Sequence, residues 1–335
     1  MAVIMWWLYE PSEIFGILAA AILIDLWVGD LARFPHPVVQ IGKWISFLEK
    51  KWRLPLADDP SPEAAKALKR RGVWLVLATI ALSFITIQIL VMMAAWIHPW
   101  AGYAVSAWFI STTIAIKGLK EAAYRVTRPL EHGNLEEART YTGYIVGRDT
   151  SRLKEDELTR AVVETVAENS VDAVISPLFY ALLGGAPLAM VYRASNTLDS
   201  MVGYKNKKYL LFGWASARWD DILNWIPARI TGFLLIVTAA LFPGLSGKRA
   251  MRSVWTFARF HPSPNSGIPE SAVAGALGIE LGGRNVYGGQ ANERARMGWP
   301  LRERTRSDIS QTVKLLYGIS FLVLGGILLT WVLVF

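Results

Sequence analysis

Apolar runs of about twenty residues alternate with polar segments along the chain, which is the pattern of a protein with several membrane-spanning helices. The predicted spans are residues 14–31, 73–97, 103–119 and 313–335. The polar regions beside them are residues 32–72, 120–160, 193–229 and 246–312. Asn134 is the predicted N-cap of a helix in the second of these regions. The pattern predicts an all-α integral membrane protein, a polytopic helical bundle with re-entrant or broken helices and cytoplasmic loops, built as one membrane domain over residues 1–335.

Two further apolar runs, residues 161–192 and 230–245, are less regular. The first is interrupted by Gly and Pro at 184–187 and carries acidic residues, and broken helices with polar groups at membrane depth are typical of lined cavities. Basic residues in 193–229 favour the cytoplasmic side for that region, as for the other polar regions. If each run crosses once, 193–229 lies outside; if both runs are re-entrant, it lies inside. We prefer re-entrant runs, because the acidic residues then share one compartment.

Composition supports residence in a membrane and narrows the chemistry. Of the 335 residues, 53% are hydrophobic, and the mean hydropathy is +0.31. The net charge of +8 could indicate a nucleic-acid partner, but the basic residues alternate with the apolar runs. Positive loops that orient a membrane protein explain this better, so we expect no nucleic acid, while anionic substrates are a second possible reason. The absence of Cys excludes disulfides, thiolate chemistry and Cys-type zinc sites.

An acidic row lies within the run 161–192. Glu164, Glu168 and Asp172 recur every four residues, so on a helix they project from one side. Like charges at this spacing repel each other, and they repel more strongly when they are removed from water. A bound cation, a shifted pKa or a basic substrate would relieve this repulsion.

Two further polar clusters follow the acidic row. Asn196 and Asp199 are three residues apart, as are Asp221 and Asn224, with Asp220 adjacent. The alternative interpretation is that all these carboxylates lie on solvated helix faces and are neutralised by arginines. The candidate arginines are Arg160, Arg193, Arg218 and Arg229. Three clusters in so apolar a setting favour a functional site.

The segment from His261 to Glu270 predicts the start of a helix that runs to Gly278. Pro269 suits the first helical position, and free backbone N–H groups at such a helix start attract phosphates and carboxylates. The alternative is an ordinary helix start after a Pro-rich turn. The residues predicted to bind an anion here are His261, Asn265, Ser266 and Gly267. No P-loop sequence occurs, so a nucleotide would have to bind without one.

Five segments, which run in order through nearly the whole chain, carry a resemblance to a known family. They are GDLARFPHPVVQIG, TSRLKEDELTRAVVETVAENSVDAVISPLFYALLGG, YRASNTLDSMVGYKN, FGWASARWDDILNWIPAR and HPSPNSGIPESAVAGALGIELGG. Together they resemble the CbiB/CobD proteins of cobalamin biosynthesis, the adenosylcobinamide-phosphate synthases of the prokaryotic inner membrane. One departure is Leu31, where the family often has Pro after Gly-Asp.

The resemblance implies an acid–amine ligase that joins an amino-alcohol, usually aminopropanol O-phosphate, to adenosylcobyric acid, with ATP as co-substrate and Mg²⁺ on its phosphates. We assign roles by residue type, since the resemblance does not supply them. Candidate catalytic residues are Glu164, Glu168, Asp172, Asp199 and Asp221. Candidate Mg²⁺ ligands are Glu168, Asp172, Asp199, Asp220 and Asp221. Candidate substrate- or phosphate-binding residues are Arg193, Asn196, Asn224, His261, Asn265, Ser266 and Gly267.

The expected setting is a multi-pass protein of the cytoplasmic membrane with its active site on the cytoplasmic side. Its expected partners are the corrinoid substrate, the amino-alcohol phosphate, the lipid bilayer and other enzymes of the cobalamin pathway. Two other function classes fit the same residues. A non-catalytic membrane scaffold or signalling protein would bind corrinoids unchanged without ATP. A lipid-phosphate transferase with Asp-rich Mg²⁺ sites would need a prenyl or phospholipid donor.

Overall fold

The structure is a computed structural model that describes residues 9–29, 36–53, 61–287 and 289–335. It is 75% helical, which confirms the helical character of the predicted all-α fold, but the prediction missed a β-hairpin. The helices are α1 Pro11–Trp27, α2 Pro37–Trp52, α3 Pro62–Ile97, α4 Pro99–Ser111, α5 Ile116–Glu131, α6 Leu135–Gly143, α7 Glu155–Ser170, α8 Ser176–Val202, α9 Trp214–Leu223, α10 Trp225–Leu241, α11 Gly247–Phe257, α12 Gly267–Leu277 and α13 Ser307–Val334. A π-helical turn spans Val171–Ile175 and a 3-10 turn spans Ala258–Phe260. The strands are β1 Leu281–Tyr287 and β2 Gln290–Met297.

Three helical runs in the described residues are long and apolar enough to cross a membrane. They are α3, the continuous run Glu155–Val202, and α13. α9 and α10, which meet at an angle of 47°, make a fourth if they form one broken span. The predicted span 73–97 lies within α3, and α13 covers the predicted span 313–335 except for its last residue. These helices are what a multi-pass membrane protein requires.

The other two predicted spans differ in the structure. α1 ends at Trp27 and has 17 residues, so it is shorter than the run predicted for it. Residues 30–31 of that prediction lie outside the described residues. The polar stretch 54–60 lies outside them as well. The predicted span 103–119 is divided between α4 and α5. The hydroxyls of three consecutive residues at this break donate to backbone carbonyls three positions earlier, at 2.6–2.8 Å. These residues are Ser111, Thr112 and Thr113. Such side-chain bonds compete with continuation of the helix.

The break predicted in the run 161–192 is confirmed. α8 is kinked at Gly184 and Gly185, and Gly185 has a φ of 64°, which favours a residue without a Cβ. Pro187 follows two residues later and donates no backbone hydrogen bond. The run predicted at 230–245 is α10, which ends at Leu241. Its bend against α9 is compatible with either a broken span or a re-entrant loop.

The chain folds into two compact units. The first unit comprises residues 1–115, 176–223 and 327–335. Within it, α3 packs against α2, α4, α8 and α9. Its core includes Leu75 of α3, Leu198 of α8, and Phe212, all of which are fully buried. Gly72 allows α3 to approach the backbone carbonyl of Phe212, where a Cβ would collide.

The second unit comprises residues 116–175 and 224–326 and is built around α12. This helix is buried along its whole length and packs against α7, α10, α11 and the hairpin. A Cβ on Gly275 would collide with Ser253 and Ala250, so the small residues are what lets α11 and α12 lie close together. The helix ends at Gly278, as predicted, in the left-handed conformation with a φ of 72°. The predicted cap is also confirmed, because the Asn134 side chain accepts from the Glu137 N–H at 3.2 Å.

The β-hairpin in the second unit contains an irregularity at Gly282. β1 and β2 pair antiparallel from Tyr287 opposite Gln290 to Leu281 opposite Met297, with a shift in register between Leu281 and Gly283. Gly282 has a φ of 81° at this bulge, and a Cβ there would collide with the backbone of β2. The bulge turns the Gly282 N–H away from the strand pairing and toward α7.

Candidate functional site

Glu164 of α7 is the centre of a buried network in the second unit. Its Oε1 accepts from the backbone N–H of Gly282 at 2.8 Å, and its Oε2 accepts from the guanidinium of Arg148. The Nε of Arg160, one turn earlier on α7, lies 3.8 Å from Oε1. Glu164 is only 4% exposed, and a buried carboxylate needs this degree of compensation. We infer that Glu164 fixes α7 against the hairpin.

Asn285 of β1 joins the two arginines of this network. Its Oδ1 accepts from Arg148 and, at 2.9 Å, from Nη2 of Arg160. Arg160 also donates to the carbonyls of Gly282 and Arg284. Asn285 is buried, as are both guanidinium groups. The network therefore fixes α7, β1 and the segment before α7 in one arrangement.

Glu168 lies one turn further along α7 and is bonded differently. Its Oε1 accepts from the Ser266 hydroxyl at 3.0 Å, which links α7 to the start of α12. It is half-buried and, unlike Glu164, forms no ion pair with an arginine among the described residues. Asp172 lies in the π-helical turn, whose wider i→i+5 bonding displaces it from the i, i+4 register. The predicted single face is therefore regular only for Glu164 and Glu168.

A second buried acidic residue, Glu270, faces His261 beside Glu168. Glu270 is on the first turn of α12 and is 2% exposed. Its Oε1 lies 3.6 Å from Nε2 of His261, whose side chain is 6% exposed. Neither atom has a hydrogen-bond partner in the part of the chain that the structure describes. Two buried polar atoms without partners are costly, so their retention indicates a use.

The environment favours the uncharged form of both groups. Burial raises the pKa of the Glu270 carboxyl well above its usual range, and the charges of Glu164 and Glu168 raise it further against the opposing effect of Arg294. Burial lowers the pKa of His261, although Glu168 favours its charged form. The 3.6 Å separation is therefore an ion pair only if a proton moves from Glu270 to His261.

The raised pKa of Glu270 gives stability a defined pH dependence. Between the unfolded and the folded pKa, the unfolded chain binds fewer protons than the native state, so stability falls as pH rises through this window. The glutamine side chain in Glu270→Gln cannot ionise. We therefore expect this variant to be more stable than the wild type at about pH 8 and to lose this advantage at about pH 4. Thermal unfolding in detergent at both pH values measures this. Glu293→Gln changes an exposed residue and is the control. If Glu270→Gln changed the stability equally at both pH values, this would contradict the raised pKa of Glu270.

Arg294 of β2 supplies a positive charge next to these acids. It is half-buried and pairs across the hairpin with Gly283. Burial lowers its pKa, but Tyr287, Glu270 and Glu168 outweigh this and leave the pKa raised. Among the described residues it forms no hydrogen bond or ion pair. A guanidinium that is held charged and unpaired is available to an anionic ligand.

The predicted anion site at the start of α12 is altered by local bonding. The N–H groups of Ile268 and Glu270 donate to the carbonyls of Asn265 and Ser266 at 3.1 and 3.2 Å, so two of the expected donors are used within the turn. Gly267 begins the helix, and a Cβ on it would collide with His261. Pro269 is the third helical residue, not the first as predicted. Asn265 is buried beside them.

The remaining predicted residues lie mostly in the first unit. Arg193, Asn196 and Asp199 are on α8, while Asp220 and Asp221 are on α9. These two helices pack together, and Trp219 Nε1 donates to the Ser195 hydroxyl between them at 3.0 Å. The clusters predicted on α8 and α9 therefore belong to one helix pair.

The charges on this helix pair are partly compensated. Arg218 Nη1 lies 4.0 Å from Asp221 Oδ2, and its side chain is 67% exposed, so the pair contributes little to stability. The Nε of Arg193 is buried and has no hydrogen-bond partner among the described residues. Asn224 is buried at the N-cap of α10 but belongs to the second unit.

Comparison with known proteins identifies the family. A family model described as CobD/Cbib protein matches residues 18–316. The chain belongs to the CobD/CbiB family. It is 47% identical over 307 residues to the cobalamin biosynthesis protein CobD of Geobacter metallireducens, covering 92% of this chain and 93% of that protein. It is 45% identical over 307 residues to the cobalamin biosynthesis protein CbiB of Salmonella arizonae, covering 90% and 93%.

A third relative is the cobalamin biosynthesis protein CobD of Halalkalibacterium halodurans, 44% identical over 299 residues, with 89% of this chain and 91% of that protein covered. No solved structure matches the chain significantly. The resemblance predicted from the sequence is thus confirmed. CobD/CbiB proteins are named for cobalamin biosynthesis, which places this chain in that process.

The acidic residues can be tested for their fit to Mg²⁺. No group of three or more His, Asp or Glu side chains in the described ranges could hold a metal ion. The predicted ligands are also divided: Glu168 and Asp172 lie in the second unit, while Asp199, Asp220 and Asp221 lie in the first. Mg²⁺ that arrives on nucleotide phosphates needs only one or two carboxylates. The predicted Mg²⁺ ligands of this CobD/CbiB chain therefore do not form one group of three among the described residues.

Four residues of this CobD/CbiB site were not predicted from the sequence. They are Arg148, Glu270, Asn285 and Arg294. Glu270 had a usable signal, because it is a single carboxylate in an otherwise apolar helix, where a charge is costly. The other three owe their positions to the hairpin, which the sequence pattern did not reveal.

Proposed function

We propose that this protein catalyses ATP-dependent amide ligation between adenosylcobyric acid and (R)-1-amino-2-propanol O-phosphate, or a related amino-alcohol, giving adenosylcobinamide phosphate. Its family supports a place in cobalamin biosynthesis, and the sequence resemblance supports this particular step. The corrinoid and the amino-alcohol phosphate are then its substrates.

The reaction needs an activated carboxyl group. A carboxylate is a poor electrophile, so ATP first transfers its γ-phosphoryl group to a propionate oxygen, giving an acyl phosphate and ADP. The amine then forms the C–N bond, the C–O bond to phosphate breaks, and the ammonium substrate loses two protons in all. One of these protons remains with the departing phosphate and the other is released. A protein group must therefore accept a proton next to a site for phosphoryl oxygens.

One observation carries the proposal: the Oε1 atom of Glu270 is buried and has no hydrogen-bond partner among the described residues, and the charges of Glu168 and Arg294 act on the pKa of this carboxyl. Burial raises the pKa of the Glu270 carboxyl, and a raised pKa is typical of carboxylates that accept protons near neutral pH. Arg294 is suited to the phosphoryl oxygens of the activated carboxyl. A scaffold that only binds a corrinoid would not need this combination.

Mg²⁺ and ATP belong to the same proposal. When bound, Mg²⁺ would neutralise charge on the nucleotide phosphates. Because no three acidic or histidine side chains among the described residues are grouped for a metal, one or two carboxylates at most would complete its coordination, and the assignment of Asp199, Asp220 or Asp221 to this role stays a prediction.

The proposed setting is the cytoplasmic membrane, with the site on the cytoplasmic side, where ATP is available. The three to four helices that could span a membrane support a multi-pass arrangement. The basic residues in the polar regions beside the apolar runs support the orientation.

The test is a direct assay on membranes that contain the purified protein. Adenosylcobyric acid, aminopropanol O-phosphate and Mg-ATP should yield adenosylcobinamide phosphate, detected by mass spectrometry, together with one ADP per amide. Omitting ATP should abolish the product. Binding of the corrinoid without any product would instead indicate a scaffold, and transfer from a prenyl or phospholipid donor would indicate a lipid-phosphate transferase.

A further inference from the structure

We propose that the start of α12 binds the ammonium end of the amino-alcohol, not its phosphate, and that Glu270 accepts the proton that this ammonium loses. Glu168 and His261 complete the subsite as further hydrogen-bond acceptors for the ammonium. This inference rests on the proposed function and assigns one end of one substrate within it.

The polar groups available to a ligand at the start of α12 are hydrogen-bond acceptors and not donors. Two of the N–H groups that an anion would need are bonded inside the turn, while the carboxylates of Glu168 and Glu270 approach from α7 and α12. His261 Nδ1 lies 3.1 Å from the Ser263 N–H and 3.2 Å from the Ser263 carbonyl. In the tautomer in which Nδ1–H donates to the carbonyl, Nε2 carries a lone pair and is a third acceptor, and we assign this tautomer to the ligand-bound state. An ammonium group has three N–H donors, which three acceptors would satisfy.

Two buried atoms of this subsite lack hydrogen-bond partners in the described part of the chain, which favours a ligand that can bond both of them. Glu270 Oε1 and His261 Nε2 are both buried, lie 3.6 Å apart and lack hydrogen-bond partners within the described residues. Arg148 is bonded to Glu164 and is not available to them. A cationic donor would bond both atoms and offset the repulsion between the two carboxylates.

An ammonium group fits this arrangement better than a metal ion. Mg²⁺ requires oxygen ligands at about 2.1 Å in a near-octahedral arrangement. An ammonium N–H reaches its acceptor over about 2.9 Å and accepts a wider spread of directions. No group of three His, Asp or Glu residues in the described chain is arranged for a metal. Here Glu270 lies 3.6 Å from His261, and Glu168 is bonded to Ser266 at the start of the same helix.

The proton step follows from the same contacts. The bound ammonium favours the ionised form of Glu270, which then takes one proton from the nitrogen. The neutral amine attacks the acyl phosphate, the C–N bond forms, and the C–O bond to phosphate breaks. When the tetrahedral intermediate breaks down, the nitrogen loses its second proton, which remains with the departing phosphate. The proton on Glu270 is released to solvent. Charge and atoms balance as in the overall ligation.

Hydroxylamine separates this step from carboxyl activation. It is uncharged at neutral pH, so it can trap an acyl phosphate as the hydroxamate without a protein base. We expect Glu270→Gln to lower amide formation about 100-fold or more, the scale of general-base catalysis, and to leave ATP-dependent hydroxamate formation unchanged. Glu293→Gln, an exposed glutamate on β2, should leave both rates unchanged.

The outcomes distinguish the inference from the proposed function. Loss of both products in a folded Glu270→Gln protein, or loss of neither, would overturn the role of Glu270. A wild-type protein that forms neither product would overturn the proposed ligation and this subsite with it. Folding is checked by thermal unfolding, for which Glu270→Gln is expected to be at least as stable as the wild type near neutral pH.

Glu168→Gln tests which end of the substrate is bound. Because aminopropanol and its O-phosphate share the same ammonium group, we expect KM to rise about tenfold for both, with kcat little changed. A rise confined to the phosphorylated substrate would show a phosphate site and overturn the assignment. Competition by propane-1,2-diol provides a readout without turnover: the wild type should bind aminopropanol in preference to the diol, and the Glu168→Gln/Glu270→Gln double variant should lose that preference.

Discussion

Arg148→Ala is expected to lower the free energy of unfolding by about 3 kcal/mol or more, because removing one partner of a buried ion pair typically costs about 3–5 kcal/mol. The side chains of Arg148 and Glu164 are only 6% and 5% exposed. The substitution also removes a hydrogen bond to Asn285. The Nε of Arg160 lies 3.8 Å from Glu164 and compensates only in part. Denaturant titration in detergent measures the loss.

Two companion variants show whether a stranded charge is the cause. Arg152→Ala removes an exposed arginine four residues away and should leave stability unchanged. Arg148→Ala combined with Glu164→Gln leaves no buried charge and should be more stable than Arg148→Ala alone. If Arg148→Ala and Arg152→Ala have the same free energy of unfolding, Glu164 is not held as a buried carboxylate.

Local signals in the sequence were sufficient for several features. The break at Gly184–Gly185 follows from residues that either tolerate or force a departure from the helix, and the structure places the kink there. Asn134 caps α6 through its own side chain, and Gly278 ends α12 in the left-handed conformation. Each of these depends on a few neighbouring residues, so each can be predicted without knowledge of the fold.

The hairpin could not be predicted from hydrophobic periodicity. Most side chains of β2 are exposed, so the strand lacks the alternation of apolar and polar residues that marks a half-buried strand. The available signal was Gly288-Gly289 between two short segments, a pair that is typical of a two-residue turn. Without the hairpin, Asn285 and Arg294 had no predicted place near α7.

The partners of the acidic residues are distant in sequence. Glu164 bonds to Arg148, 16 residues away, and to Gly282, 118 residues away. From the sequence, Glu164 and Glu168 were equivalent members of one row. The fold distinguishes them, because Glu164 is compensated by arginine, while Glu168 is bonded, within the described ranges, only to the Ser266 hydroxyl. The positions of basic groups in space, not the spacing of acids along a helix, determine which carboxylate remains available to a ligand.

Arg294→Gln is expected to reduce ATP-dependent hydroxamate formation about 100-fold, the scale for loss of one donor to a developing charge. Arg294 is half-buried, and neighbouring acids keep its pKa raised although burial opposes this. Because it forms no hydrogen bond or ion pair among the described residues, its charge is available to the phosphoryl oxygens. Arg296→Gln is the matched control, since Arg296 is on the same strand but is 64% exposed and paired with Glu280 at 2.9 Å.

The two site variants should differ in which product they lose. Arg294→Gln should lower hydroxamate and amide together, because both require the activated carboxyl group, whereas Glu270→Gln should lower the amide alone. Arg294→Lys keeps the charge without the bidentate geometry and should recover only part of the rate. If Arg294→Gln spares the hydroxamate and loses only the amide, Arg294 acts through the charge state of Glu270, whose pKa it holds down against burial. In that case the amide rate of Arg294→Gln should recover as pH is raised, because Glu270 then ionises at a higher pH.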